Sequence, residues 1–134
     1  IRNAGLRLGI VSNAQFYTPL LFRACLDRTP LDLGFADALC AWSYRIREAK
    51  PSPRVFTPVV AELNQLGIRP HQAVYVGNDM LNDIWAASQA GLRTLLFAGD
   101  QRSLRLRETD PRCRGARADG IVTALDQIPA LLGA

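Results

Sequence analysis

Three sets of residues in this sequence have the types needed to hold a phosphoryl group and a hard cation: Ser12-Asn13, Lys50, and the acidic turn of Asn78, Asp79 and Asp83. A serine hydroxyl with neighbouring backbone N–H groups can cradle phosphate oxygens. A lysine ammonium is a compact positive charge that neutralises them. Mg²⁺ takes oxygen ligands, commonly one or two carboxylates with water and substrate phosphate. Asp83 lies four residues after Asp79, one helical turn on. Each set also has a plainer use. Asn78 and Asp79 suit a helix cap, Ser12-Asn13 suits a turn, and a lysine is most often solvated. Lys50 is nevertheless the single lysine among sixteen basic residues, the others all being arginine.

The elements that would position these residues alternate between strands and helices. The apolar run Leu6–Val11 reads as a buried parallel strand that ends at Ser12-Asn13. Thr18-Pro19 opens a helix to Asp27, with Leu20, Leu21, Ala24, Cys25 and Leu26 on its buried side. Ala38–Tyr44 is a second strand, followed by a loop over 45–53 that carries Lys50. From Pro53 to Leu66 apolar residues recur at three and four. The helix starts at Thr57-Pro58 or has a kinked first turn, and Gly67 stops it. Ala73–Val76 is a strand, Leu81–Ala90 a helix ended by Gly91, and Arg93–Phe97 a strand. An arginine-rich loop over 98–117 precedes a short strand, Gly120–Val122, and a terminal helix, Ala124–Leu132. This order predicts an α/β fold with a mainly parallel sheet. In such sheets the working groups lie beyond the C-terminal ends of strands, where all three sets fall.

With 134 residues the chain is one expected domain, large enough for a real core. No apolar run approaches the ~20 residues of a membrane span. The opening IRNAGLRLGIVSN enters a strand almost at once and lacks the layout of a signal peptide. Three unpaired cysteines, Cys25, Cys40 and Cys113, argue for reduced thiols, a cytoplasmic setting and no zinc site. Cys25 and Cys40 read as packing residues. The arginines of 101–117 lack the aromatic interleaving and motifs of nucleic-acid recognition, so that run reads as a surface loop.

The combination resembles the haloacid dehalogenase-like hydrolase superfamily, over about Leu6 to Gly99. LGIVSNA is similar to its second motif, REAKPSPRVF to its third and VYVGNDMLNDIWAASQAGL to its fourth. The resemblance implies a Rossmann-like three-layer sandwich. It also implies an Mg²⁺-dependent phosphatase acting on a phosphorylated small molecule. Ser12 and Lys50 would be catalytic, Ser12, Asn13 and Lys50 would bind the phosphoryl group, and Asp79, Asp83 and Asn78 would hold the metal. Dehalogenase or mutase chemistry is open to the same motifs.

Two departures qualify the resemblance. The acidic turn reads Gly77-Asn78-Asp79 where the family has Gly-Asp, so either Asn78 or Asp79 takes the ligand position, with Asp79 favoured as the carboxylate. The family's first motif, a strand ending in Asp-x-Asp that supplies the nucleophile, is absent from the sequence. The chain therefore reads as the C-terminal core of a longer protein, incomplete and inactive alone, lacking the strand that in the family lies between those ending at Val11 and Val76. Such a chain would close the gap abnormally, recruit a complementing segment or a second copy, or be unstable. The alternative reading is a non-catalytic remnant serving as an interaction or regulatory module.

Overall fold

The computed structural model describes residues 5–133; the sequence reading of the first four residues lies outside them. Strand β1 (Leu8–Ser12) leads to helix α1 (Thr18–Leu26), strand β2 (Phe35–Trp42) and the short helix α2 (Ser43–Ile46). A 3₁₀ turn, Pro53–Phe56, runs into α3 (Thr57–Gln65), so the proline-bracketed segment is a tight lead-in followed by a regular helix. Strand β3 (Val74–Gly77) is followed by a π-helical turn, Met80–Trp85, that passes into α4 (Ala86–Gln89). Strands β4 (Arg93–Phe97) and β5 (Gly120–Val122) and helix α5 (Gln127–Leu131) complete the order. Gly67 and Gly91 stand at φ +72° and +81° behind α3 and α4, the left-handed stops expected of glycine.

Among the described residues all strand pairs are parallel, in two sheets, β1-β2 and β3-β4-β5. Side chains alternate across β3. Tyr75 packs with the core formed by Val11, Leu39, Val55, Phe56, Val59 and Leu63. Val74 and Val76 pack with Leu95, Val122 and Ile128 of the other core. Helices α3 and α5 therefore cover opposite faces, which makes the α/β arrangement three-layered. Phe56, Val55 and Ile84 are fully buried, each contributing about 1.5–3 kcal/mol by leaving water. The Phe56 and Tyr75 rings meet edge to face with centroids 5.0 Å apart.

Strands β1 and β3 are not paired among the described residues, and a slot separates the two sheets. One cavity on the slot is walled by Gly9, Val11 and Tyr75 and reaches Val59 and Leu63 of α3. A second is walled by Leu8, Gly9, Val74 and Val76 and reaches Ile128 and Leu132. The slot thus opens toward both helical layers. Direct pairing of β1 with β3, one of the expected responses to a missing strand, does not occur.

Helix α1 departs from its sequence reading. None of its residues is buried, and Leu20, Leu21 and Leu26 are exposed. Cys25 is exposed as well, not a packing residue. The apolar spacing is present, but no element among the described residues covers that side. No helix among the described residues is long and apolar enough to cross a membrane.

Candidate functional site

The ends of β1 and β3 and the loop after α2 meet through side chains. Asn13, just past β1, holds the Lys50 backbone from both directions. Its Nδ2 donates to the Lys50 carbonyl at 2.9 Å, and its Oδ1 accepts from the Lys50 N–H at 2.7 Å. Ser43 Oγ accepts from the Ala14 N–H and donates to its carbonyl, fastening the same β1 exit to α2. These bonds direct the Lys50 side chain over the head of the slot. Its ammonium donates to Asp83 Oδ1 at 2.6 Å, to the Tyr75 hydroxyl at 2.7 Å and to the Val11 carbonyl at 3.2 Å. An ammonium has three N–H donors, so all are engaged. The Tyr75 hydroxyl in turn donates to the Val11 carbonyl at 2.8 Å. Burial first, and then the neighbouring Asp83 carboxylate, push the Tyr75 phenol far above its ordinary value, so it stays neutral.

Asp83 is placed by the π-helical turn. The amides of Asp83 and Ile84 both donate to the Asp79 carbonyl, at 2.9 and 3.1 Å. This widened turn lets the Asp83 carboxylate fold back, so that Oδ2 accepts from the Asn78 and Asp79 amides at 3.0 Å each. Such turns are frequent at functional sites. Gly77 is required for the fold-back, because a Cβ there would collide with Cβ and Cγ of Asp83.

Asp79 caps the turn: Oδ1 accepts from the Leu81 and Asn82 amides at 2.9 and 3.0 Å, and Oδ2 from Asn82 Nδ2 at 3.0 Å. It is also gripped by Arg107, whose Nη2 donates to Oδ2 at 2.7 Å and whose Nε reaches Oδ2 and Oδ1 at 3.1 and 3.3 Å. Burial acts to raise the Asp79 pKa. The Arg107 hydrogen bonds and the Asn82 and Leu81 amides outweigh it and hold the carboxyl below the ordinary carboxylate value. Asn78 instead faces the loop after β4, with Nδ2 donating to the Ser103 carbonyl at 2.9 Å.

Lys50, Asn13, Asp83, Asn78 and Asp79 are thus joined in one hydrogen-bonded set, and Ser12 ends the strand beside it. Both the capping role and the clustering at strand ends anticipated for the acidic turn are present together. Both oxygens of Asp79 and Oδ2 of Asp83 already accept at least two hydrogen bonds, Asp83 Oδ1 accepts the Lys50 ammonium, and among the described residues no group of three or more His, Cys, Asp or Glu side chains could hold a metal ion. As arranged, the turn does not fit a divalent cation. Sequence reasoning overlooked Tyr75 and Arg107. Tyr75 had a faint signal, a hydroxyl in an otherwise apolar strand; Arg107 had none to mark it off among the arginines of its loop.

Residues 1–97 match the family described as haloacid dehalogenase-like hydrolase. Rat phospholysine phosphohistidine inorganic pyrophosphate phosphatase is 35% identical over 83 residues, which is 62% of this chain and 28% of that protein. Haloacid dehalogenase-like hydrolase domain-containing protein 3 from Xenopus laevis is 34% identical over 95 residues, 71% of this chain and 35% of that protein. Among solved structures, a HAD phosphatase from Thermococcus onnurineus superposes with a TM-score of 0.72 at 23% identity, over 98% of this chain and 53% of that one. A magnesium-bound HAD-hydrolase from Bacillus subtilis gives 0.72 at 19% identity, over 99% and 51%. The chain spans about half the length of these solved structures and 28% of the rat relative.

Proposed function

This chain belongs to the haloacid dehalogenase-like hydrolase family, and from that premise we propose that it forms the phosphoryl-binding core of a phosphatase acting on phosphorylated small molecules. The observation that carries the reading is the placement of Lys50. Its ammonium stands at the head of the slot between β1 and β3, held by Asp83, Tyr75 and Val11. A fixed positive charge with little exposure stabilises charge that develops on a transferring phosphoryl group. The Val11 contact, the longest of the three, is the one a phosphoryl oxygen would replace. Ser12 and Asn13, at the same strand end, would contribute a hydroxyl and backbone N–H groups.

The nucleophile would come from outside this sequence, which contains no Asp-x-Asp. A parallel strand seated in the slot would deliver its C-terminal carboxylate beside Lys50. By resemblance, that carboxylate attacks phosphorus, the bond to the leaving oxygen breaks, and water later hydrolyses the aspartyl-phosphate. The oxygen donors of Asn78, Asp79 and Asp83 are the kind Mg²⁺ prefers. The saturated carboxylates leave no step assigned to it here.

A second reading, a non-catalytic binding module, is favoured by Asn78 in the acidic turn and by those same saturated oxygens. The two separate on p-nitrophenyl phosphate assayed with the protein that carries this chain. The phosphatase reading expects hydrolysis that falls at least ~100-fold in kcat/KM for Lys50→Met and less for Ser12→Ala. A protein without turnover would favour the module reading, and a Lys50→Met variant with undiminished turnover would overturn the role given to Lys50.

A further inference from the structure

Tyr75 of β3 faces Val11 of β1 across the slot, and its two ends do different things. The ring follows the alternation of the strand and packs edge to face on the fully buried Phe56. The hydroxyl reaches the head of the slot, where one oxygen meets three groups. It accepts from the Lys50 ammonium at 2.7 Å, donates to the Val11 carbonyl at 2.8 Å and lies 3.3 Å from Asp83 Oδ1. The ammonium is also 5.3 Å from the centroid of the Tyr75 ring, within cation–π range. A hydroxyl has one proton to give. Val11 is the nearer acceptor for it, which leaves the phenol lone pairs for Lys50. The phenol stays neutral, so it offers the ammonium an acceptor without a negative charge that would cancel it.

On the phosphatase reading of the site, on which this inference rests, we propose that Tyr75 is a positioning residue acting through Lys50. Its hydroxyl holds the ammonium while Lys50 exchanges the Val11 carbonyl for a phosphoryl oxygen. All three ammonium protons are engaged, so a phosphoryl oxygen gains Lys50 only when one acceptor lets go. Asp83 and Tyr75 hold it at 2.6 and 2.7 Å, Val11 at 3.2 Å. When the ammonium turns from Val11, that carbonyl is not left unpaired, because Tyr75 still donates to it. Without the hydroxyl, Lys50 is the one side-chain donor left to Val11 among the described residues. The ammonium then has two acceptors instead of three. Lys50 stays on the strand, and charge developing on the phosphoryl group is stabilised less.

The test compares the wild type with Tyr75→Phe, Lys50→Met and the double variant in the protein that carries this chain, with p-nitrophenyl phosphate as substrate. Phenylalanine keeps the ring on Phe56 and removes only the hydroxyl. Tyr75→Phe should lower kcat about tenfold, with KM within about twofold of the wild type. Added to Lys50→Met, it should cost less than about twofold, since the residue it acts through is gone. An undiminished kcat in Tyr75→Phe overturns the role of Tyr75 and leaves the phosphatase reading standing. An equal loss in both backgrounds also overturns it, because a hydroxyl that only supports the fold acts without Lys50. A wild type without turnover overturns the phosphatase reading and the role of Tyr75 together. Lys50 is the single lysine of the sequence, so a ¹⁵N-lysine label gives one ammonium signal in this chain. Its protons should exchange with water at least about tenfold faster in Tyr75→Phe than in the wild type. Equal rates overturn the grip of Tyr75 on Lys50 even where the Lys50 variants do not fold.

Discussion

Lys50 Nζ and Asp83 Oδ1 lie 2.6 Å apart, and their side chains are only 11% and 8% exposed. This pair, with Tyr75, ties the β1-β2 sheet to the β3-β4-β5 sheet across a gap that no backbone hydrogen bond spans among the described residues. Removing one member leaves the other charge buried. Lys50→Met should therefore destabilise the chain by about 3–5 kcal/mol. Lys50→Met combined with Asp83→Leu should recover much of that loss, because no charge remains unpaired. Urea unfolding of the two single variants and the double variant closes the cycle. Additive losses would show that the pair is not coupled.

Gly77 and Asp83 are coupled by space instead of charge. Gly77→Ala would place a methyl group against Cβ and Cγ of Asp83, so the π-helical turn or the end of β3 must shift. The expected loss is about 1–3 kcal/mol, the usual cost of overpacking. The Lys50–Asp83 contact should be lost with it. Gly115→Ala is the control: nothing lies within 4 Å of a Cβ there, and its effect should stay within about 0.5 kcal/mol. Comparable losses for the two variants would refute the steric account.

Asp79 predicts the acid limb of stability. Its folded-state pKa lies below the ordinary 3.8, the Arg107 hydrogen bonds outweighing burial. A group depressed in this way stabilises the fold above its unfolded pKa, and that stability is lost as pH falls through the lower folded value. Arg107→Gln leaves burial opposed only by the capping amides. The Asp79 midpoint should then rise, and acid unfolding should begin at a higher pH than in the wild type. Carboxyl ¹³C shifts of Asp79 against pH, read beside circular dichroism, give both quantities. Asp110, which its hydrogen bonds with Arg112 push down to about 2, is also lowered by the Arg107 charge and should move up with Asp79, though it is chiefly held by Arg112. An Asp79 midpoint unmoved by Arg107→Gln would rule out the ion pair in solution.

The legible parts of this chain are those where local pattern and tertiary outcome coincide. Arg93–Phe97 and Gly120–Val122 are strands with the boundaries read from sequence, because apolar runs between turn residues leave few other options. Gly77-Asn78-Asp79 and Asp83 announced a turn rich in oxygen donors. What local pattern cannot convey is who else reaches that turn. Arg107 is 28 residues from Asp79, in a loop whose other arginines look alike in sequence. Selection among them depends on the hydrogen bonds that tie this loop to Asn78 at Ser103 and Arg105, a tertiary fact. Helix α1 fails in the opposite sense. Its apolar stripe is real, but burial belongs to the pair of surfaces, and among the described residues Leu20 and Leu21 meet no covering surface. Tyr75 was hidden because its ring obeys the strand's alternation while its hydroxyl bridges to Val11.

The slot between β1 and β3 makes a prediction about exchange. β4 is bonded on both sides, to β3 and to β5. Among the described residues β3 is bonded to β4 alone and β1 to β2 alone. Amides that face the slot have no strand partner, so in this chain they should exchange with solvent faster than those of β4, by about 100-fold or more where opening is local. If a parallel strand fills the slot in the protein that carries this chain, β1 and β3 become interior strands there. Their amides should then slow to rates near those of β4, while β4 itself changes little. Hydrogen exchange by mass spectrometry on both proteins compares the peptides covering Leu8–Ser12, Val74–Gly77 and Arg93–Phe97. Equal protection of β1 and β3 in the two proteins would remove the strand from the slot, and with it the proposed route by which a nucleophile reaches Lys50.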